Sequence, residues 1–142
     1  MLYTDFTAKL LEMEDVIVDS VVHHAEIVEI HLQQQVKACV CPACGKAEYV
    51  VHDYRSQRIR DIPILGKQTV IFLRKRRYKC KHCGKQFAQP VSFLPRYHHM
   101  TNRLSAYVIA KLAGVRSFTD IAKEVGLSVS TVVRIFDLVQ YP

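Results

Sequence analysis

Residues 41–45 read CPACG and residues 80–84 read CKHCG. These two short stretches decide the architecture, because thiolates delivered as two close pairs are what a tetrahedral zinc ion takes from a protein. Cys41, Cys44, Cys80 and Cys83 are therefore the predicted ligands of one structural zinc. Each pair is followed at once by a glycine, which can take the left-handed conformation that turns the chain sharply and points backbone N–H groups at the sulfurs. The pairs are separated by 35 residues, more than a minimal ribbon requires, so an extra hairpin is expected between them. Disulfides would need an oxidising compartment, whereas the N-terminus has early acids and no signal-type apolar core, and five cysteines cannot all pair within one chain. A thioredoxin-like pair would leave the second knuckle unexplained. Cys39 is read as a free or buried thiol, and His52 and His82 as alternative ligands that a four-sulfur shell does not need.

Working outward, the charge of the chain divides where the ligands begin. Residues 1–36 carry a net charge of −6 and residues 37–142 a net charge of +13. A basic part that coincides with a metal-stabilised ribbon points to nucleic acid more than to membrane. No stretch approaches the roughly 18 consecutive apolar residues of a membrane span. The densest cationic run is Arg74, Lys75, Arg76, Arg77, Lys79 and Lys81, directly after the continuous apolar run from Val70 to Leu73 and leading into the second knuckle.

Upstream of the first knuckle, a short amphipathic helix is expected after a cap at Thr4. The β-branched runs Val16–Val22 and Glu26–Leu32, with His23 and His24 between them, read as a hairpin whose second arm alternates Val28, Ile30 and Leu32 against Ile27, Glu29 and His31. Beyond the first knuckle, separate strands are expected over 48–52 and 57–62, then a turn at Leu65-Gly66-Lys67 and a strand over 68–78. Residues 89–100 form the expected linker. A helix follows from a cap at Thr101 and is expected to end at Gly114.

The last segment, SFTDIAKEVGLSVSTVVRIFD from Ser117, has the offsets of a helix-turn-helix. Ser117 caps the first helix, with Asp120 three residues on. Ala122 is small where two helices cross, Gly126 makes the turn, Ser128 caps the second helix, and Ile121, Val125, Leu127, Val132 and Ile135 form its core. Ser128, Ser130, Thr131 and Arg134 are the predicted base-contacting residues of that helix. Arg74, Lys75, Arg76, Arg77 and Lys79 are the predicted phosphate contacts, although a four-thiolate zinc carries a formal charge of about −2 that some of these cations could simply offset.

The fold class expected is α+β: a small β-rich zinc ribbon followed by a three-helix helix-turn-helix domain. The boundaries are 1–36 for an N-terminal helix and hairpin packing on the ribbon, 37–88 for the ribbon, 89–100 for the linker and 101–142 for the helix-turn-helix.

CPACG, the run HDYRSQRIRDIPILGKQTVIFLRKRRYKCKHCGKQF and the terminal SFTDIAKEVGLSVSTVVRIFD together resemble the N-terminal region of the ISL-three family of bacterial insertion-sequence transposases. The resemblance spans roughly residues 10–140 and is most specific from Arg60 to Phe87. It implies a zinc-binding domain and a helix-turn-helix preceding a catalytic domain of RNase H-like fold, with the four cysteines as ligands and the helix from Ser128 as DNA reader. The metal-binding acidic triad of such enzymes would need a fold of well over 100 further residues, while only Val139 to Pro142 follow the motif. The chain is thus expected to be a recognition portion, truncated or excised, with no catalytic residue of its own. Its expected partner is double-stranded DNA, with a homodimer on paired sites, no membrane and no small-molecule substrate, in the bacterial cytoplasm at the nucleoid. A stand-alone transcriptional regulator and a zinc-stabilised protein-interaction module use the same parts and remain alternatives.

Overall fold

A computed structural model describes residues 2–94 and 99–140. Helix α1 (Leu2–Leu10) leads into strands β1 (Val16–His23) and β2 (Ile27–Gln34), a long hairpin β3 (Tyr49–Ile64) and β4 (Lys67–Cys80), a short β5 (Gln86–Ala88), and helices α2 (Asn102–Leu112), α3 (Phe118–Val125) and α4 (Val129–Gln140). The class is α+β, with the ribbon part before the helix-turn-helix part. The helix α1 already runs at Thr4, so the cap predicted there lies inside the helix. Residues 95–98 of the expected linker lie outside the described residues.

The sheet has the order β1-β2-β4-β3. Strands β1 and β2 form the predicted antiparallel hairpin, with a bulge between Val18 and Ser20. Strand β2 then runs parallel to β4, from Ile27 opposite Gln68 to Gln33 opposite Arg74. Where β2 ends, β5 takes its place beside β4 and pairs with Arg77 to Lys79. On the other side β4 is paired along its length with β3, from Tyr49 opposite Cys80 to Ile64 opposite Lys67. This is the extra hairpin expected between the knuckles. Its turn falls at Leu65 and Gly66, with φ of 53° and 72°, the pair of positive values that matches a two-residue turn to the twist of its strands.

The two separate strands expected over 48–52 and 57–62 are one. Ladder bonding to β4 carries the polar run Asp53–Gln57 through as extended chain, and the register shifts fall on either side of it, between Val51 and Asp53 and between Asp61 and Ile64. The α2 helix stops at Leu112 with Ala113 as its cap, one residue short of the expected end at Gly114.

Alternation along the strands puts Val28, Ile30, Leu32, Ile59, Ile71 and Leu73 on one sheet face, buried with Val16 and Val18 beneath Leu11, Met13 and Leu94. A fully buried aliphatic side chain of this kind contributes about 1.5 to 3 kcal/mol. A second core joins Leu104, Val108, Ile121, Ala122, Val125, Val132 and Ile135 of the three C-terminal helices, with Ile62 and Met100 packed against it. Ile62 comes from β3, so the two cores meet at the turn end of the long hairpin.

Candidate metal centre and nucleic-acid interface

The knuckles are built twice to one plan at the other end of that hairpin. Gly45 N–H donates to the Cys41 carbonyl at 2.8 Å and Cys41 N–H to the Lys46 carbonyl at 2.9 Å; Gly84 donates to Cys80 at 3.1 Å and Cys80 to Lys85 at 2.9 Å. Both glycines are left-handed, at φ 72° and 73°. Because Tyr49 pairs with Cys80, the first strand residue after one knuckle sits beside the last strand residue before the other. Lys81 N–H donates to the Glu48 carbonyl at 3.0 Å and ties the two loops together. Tyr49, Tyr78 and Phe87 pack beneath them, with ring centroids 4.5 to 5.6 Å apart. Tyr78, placed by sequence either at the knuckle or on DNA, is only 3% exposed and belongs to this aromatic floor.

The sulfurs of Cys41, Cys44, Cys80 and Cys83 all lie within 4.8 Å of one another. Cys41 and Cys83 are 3.5 Å apart, as are Cys44 and Cys80. A zinc–sulfur distance of about 2.3 Å requires a tetrahedron with edges of about 3.8 Å, so this donor set fits one structural zinc ion. Its electrostatics agree. Backbone hydrogen bonding, first from Cys83 and then from His82, draws the Cys80 thiol down to about 6, and bonding from Cys44 and Ala43 lowers Cys41. Cys44 is nevertheless pushed up to about 11: the backbone at Lys46 favours its thiolate, but burial and the neighbouring sulfurs of Cys80, Cys41 and Cys83 outweigh that. Four thiolates this close need a cation between them.

Neither alternative histidine joins the cluster. His82 pairs with Glu48 at 3.0 Å, and the metal-binding group found among the described residues consists of the four cysteines. Cys39 is half-buried and hydrogen-bonds Tyr49, which raises the tyrosine's pKa.

At the turn end, the helix-turn-helix has the predicted caps. Thr101 Oγ1 accepts from Leu104 N–H at 3.2 Å, Ser117 Oγ from Asp120 N–H at 3.1 Å and Ser128 Oγ from Thr131 N–H at 3.2 Å. Gly126 closes α3 at φ 76°. Ser128, Ser130 and Arg134 are exposed and Thr131 half-exposed, and the Ser128 hydroxyl lies 2.8 Å from that of Thr131 and 3.2 Å from that of Ser130.

The attachment of these helices to the sheet was not anticipated from the sequence. Asp61 of β3, 1% exposed, accepts from Thr101 Oγ1 and Arg103 Nε, both at 2.8 Å, and its second oxygen accepts from Arg103 Nη2. Arg103 also donates to the Leu11 carbonyl, and Asp61 raises its pKa. His99 to Thr101 run along the outer edge of β3, exchanging backbone bonds with Arg60 at 2.8 and 3.0 Å. Gln68 Nε2 of β4 donates to the Lys123 carbonyl of α3 at 2.8 Å.

The cationic run is split by strand alternation. Arg74 and Arg76 share a face with Gln68 and Phe72, whereas Lys75, Arg77 and Lys79 share the opposite face with Ile71 and Leu73. Several already have partners. Arg77 Nε lies 2.7 Å from Asp53 and its Nη2 donates to Gln86 at 2.9 Å. Arg76 donates to the Gln34 carbonyl at 3.2 Å, and Arg74 stacks 4.1 Å over the Tyr54 ring.

Among the described residues no helix is long and apolar enough to cross a membrane. Residues 37–83 match the zinc-finger model of transposases IS204/IS1001/IS1096/IS1165, and residues 89–139 match the helix-turn-helix domain of transposase family ISL3. The transposase for insertion sequence element IS1001 of Bordetella parapertussis is 33% identical over 76 residues, which are 54% of this chain and 19% of that relative. No solved structure matches the chain.

Proposed function

This chain belongs to the ISL3, or ISL-three, family of transposases, and on that premise we propose that it is a sequence-specific DNA-binding portion recognising the terminal inverted repeats of an insertion sequence. One observation carries the reading: a single hairpin, β3–β4, bears the four-thiol cage at one end and the helix-turn-helix at the other. In this reading Cys41, Cys44, Cys80 and Cys83 ligate one zinc. A closed sulfur shell leaves no open position for a substrate, so the metal stabilises rather than reacts.

The three-helix unit α2–α4 presents α4 to the major groove. Ser128, Ser130 and Thr131 are short enough to bring the backbone near base edges, and Arg134 is long enough to reach a guanine. Cations on one face of the long hairpin contact phosphates, which position the protein without specifying sequence. Terminal repeats occur in pairs, so a homodimer on paired sites belongs to this reading, as does action at the bacterial nucleoid. No catalytic residue is assigned to the chain.

The test is a competition between a duplex carrying the repeats that flank the encoding gene and a scrambled duplex. Wild type should prefer the repeat, and Arg134→Ala should lose about 1 to 3 kcal/mol of that preference. Equal binding of both duplexes by wild type would contradict recognition.

A further inference from the structure

We propose that Arg58 and Arg74, with Arg60 behind them, form a phosphate-binding track for duplex DNA on the sheet face that meets the turn between α3 and α4, continuous with the start of α4. The proposal rests on the DNA-binding reading above and assigns it a face. Arg58 lies opposite Phe72 and Arg60 opposite Val70, and Arg74 is two residues beyond Phe72 on β4, so all three project from one side of the hairpin. The end of α3 and the turn into α4 sit on that same side, where Gln68 also donates to the Lys123 carbonyl. A β-carbon at Gly126 would lie 2.7 Å from Gln68 Oε1 and 3.0 Å from Arg60 Nη1, and α4 begins three residues later.

Arg58 and Arg74 are exposed, and among the described residues no acid pairs with Arg58, Arg60 or Arg74. The Nη1 atom of Arg60 is buried, with no hydrogen-bond partner among the described residues. Burial, and then the charge of Arg58, disfavour the protonated form of Arg60, which is the condition an incoming anion relieves. The Arg74 guanidinium carbon lies 4.1 Å from the Tyr54 ring centroid, a contact with the ring face that leaves the guanidinium able to take a phosphate as well. Acids confine the track to β3 and β4: Asp19 accepts from Gln33 on the β1–β2 side, and Glu29 is flanked there by His24 and His31.

The opposite face is covered at the end nearer α4. Leu11, Met13 and Leu94 cover it around Ile59 and Ile71, and Arg77 farther along is held by Asp53 and Gln86.

The experiment measures affinity of the zinc-loaded full chain for a random-sequence duplex across a salt series. Arg58→Gln and Arg74→Gln should each lower the slope of log affinity against log salt by about 0.9, Arg58→Lys should restore it, and Lys75→Gln and Lys79→Gln should leave it unchanged. A wild-type slope in Arg58→Gln, or a reduced slope in the Lys75 and Lys79 variants instead, would overturn the track while leaving the DNA-binding reading standing. Failure of the wild-type chain to bind any duplex would overturn both.

Discussion

Removing the Asp61 carboxylate should detach the helix-turn-helix from the sheet while sparing the metal centre. Asp61→Ala strips Arg103 of its counter-charge and leaves the Thr101 hydroxyl without its acceptor. Breaking a buried ion pair costs about 3 to 5 kcal/mol. The Arg103 side chain keeps 31% of its surface in water and can rehydrate, so the low end, about 3 kcal/mol, is expected. For a chain of this size that is roughly 10 °C in melting temperature. Asp61 is paired with Thr69, and the eleven residues from there to Cys80 span about 36 Å of strand at about 3.3 Å per residue. Zinc affinity should therefore not change. The assay is chemical denaturation of Asp61→Ala, Arg103→Met and the double variant, with zinc content measured in parallel. A coupling energy of at least about 1 kcal/mol between the two positions is expected. Additive losses, or a loss under about 1 kcal/mol in Asp61→Ala, would refute the reasoning.

Chelation should unfold the ribbon, because a structural zinc site can supply about 10 to 16 kcal/mol, more than the net stability of a small domain; Cys80→Ser should do the same and Cys39→Ser should be nearly silent, and unchanged melting in Cys80→Ser would count against the site. Gly126→Val should cost at least about 1 to 2 kcal/mol, because φ is 76° and the new β-carbon would strike Gln68; undiminished stability in a thermal melt would show that the turn tolerates a side chain. Burial opposes ionisation of Glu124, but hydrogen bonds from Tyr107 and Arg116 hold its pKa below the usual glutamate range. Its contribution is therefore present above the unfolded value of about 4.3 and lost as pH falls through the lower folded value. With a partly exposed side chain the effect should stay under about 1 kcal/mol, and Glu124→Gln should flatten the acid limb of stability against pH; a variant with an unchanged acid limb would remove this assignment.

What could be read from the sequence was local. Spacing alone exposed the two knuckles with their left-handed glycines, the caps at Thr101, Ser117 and Ser128, and the turn at Gly126, because each is set by residues within a few positions. The alternation of Val28, Ile30 and Leu32 likewise revealed the buried face of β2. The parallel pairing of β2 with β4 was hidden, since it joins segments 41 residues apart through backbone groups that every sequence carries. The run Asp53–Gln57 resembles a loop because neither of its faces needs to be apolar beyond the edge of the core. Asp61 and Arg103 were missed because a buried ion pair across 42 residues leaves no pattern in either neighbourhood. Among the cations from Arg74 to Lys79, composition announced a single basic run; only strand register separates it into two faces.

The account stands most directly on whether this chain reads DNA sequence. A binding selection from a random duplex pool, performed on the zinc-loaded chain, measures that. Enrichment of one motif that matches the terminal repeats of the encoding element is the predicted result. Binding with no enriched motif would contradict the account and favour a zinc-stabilised module whose contacts with DNA are indifferent to sequence.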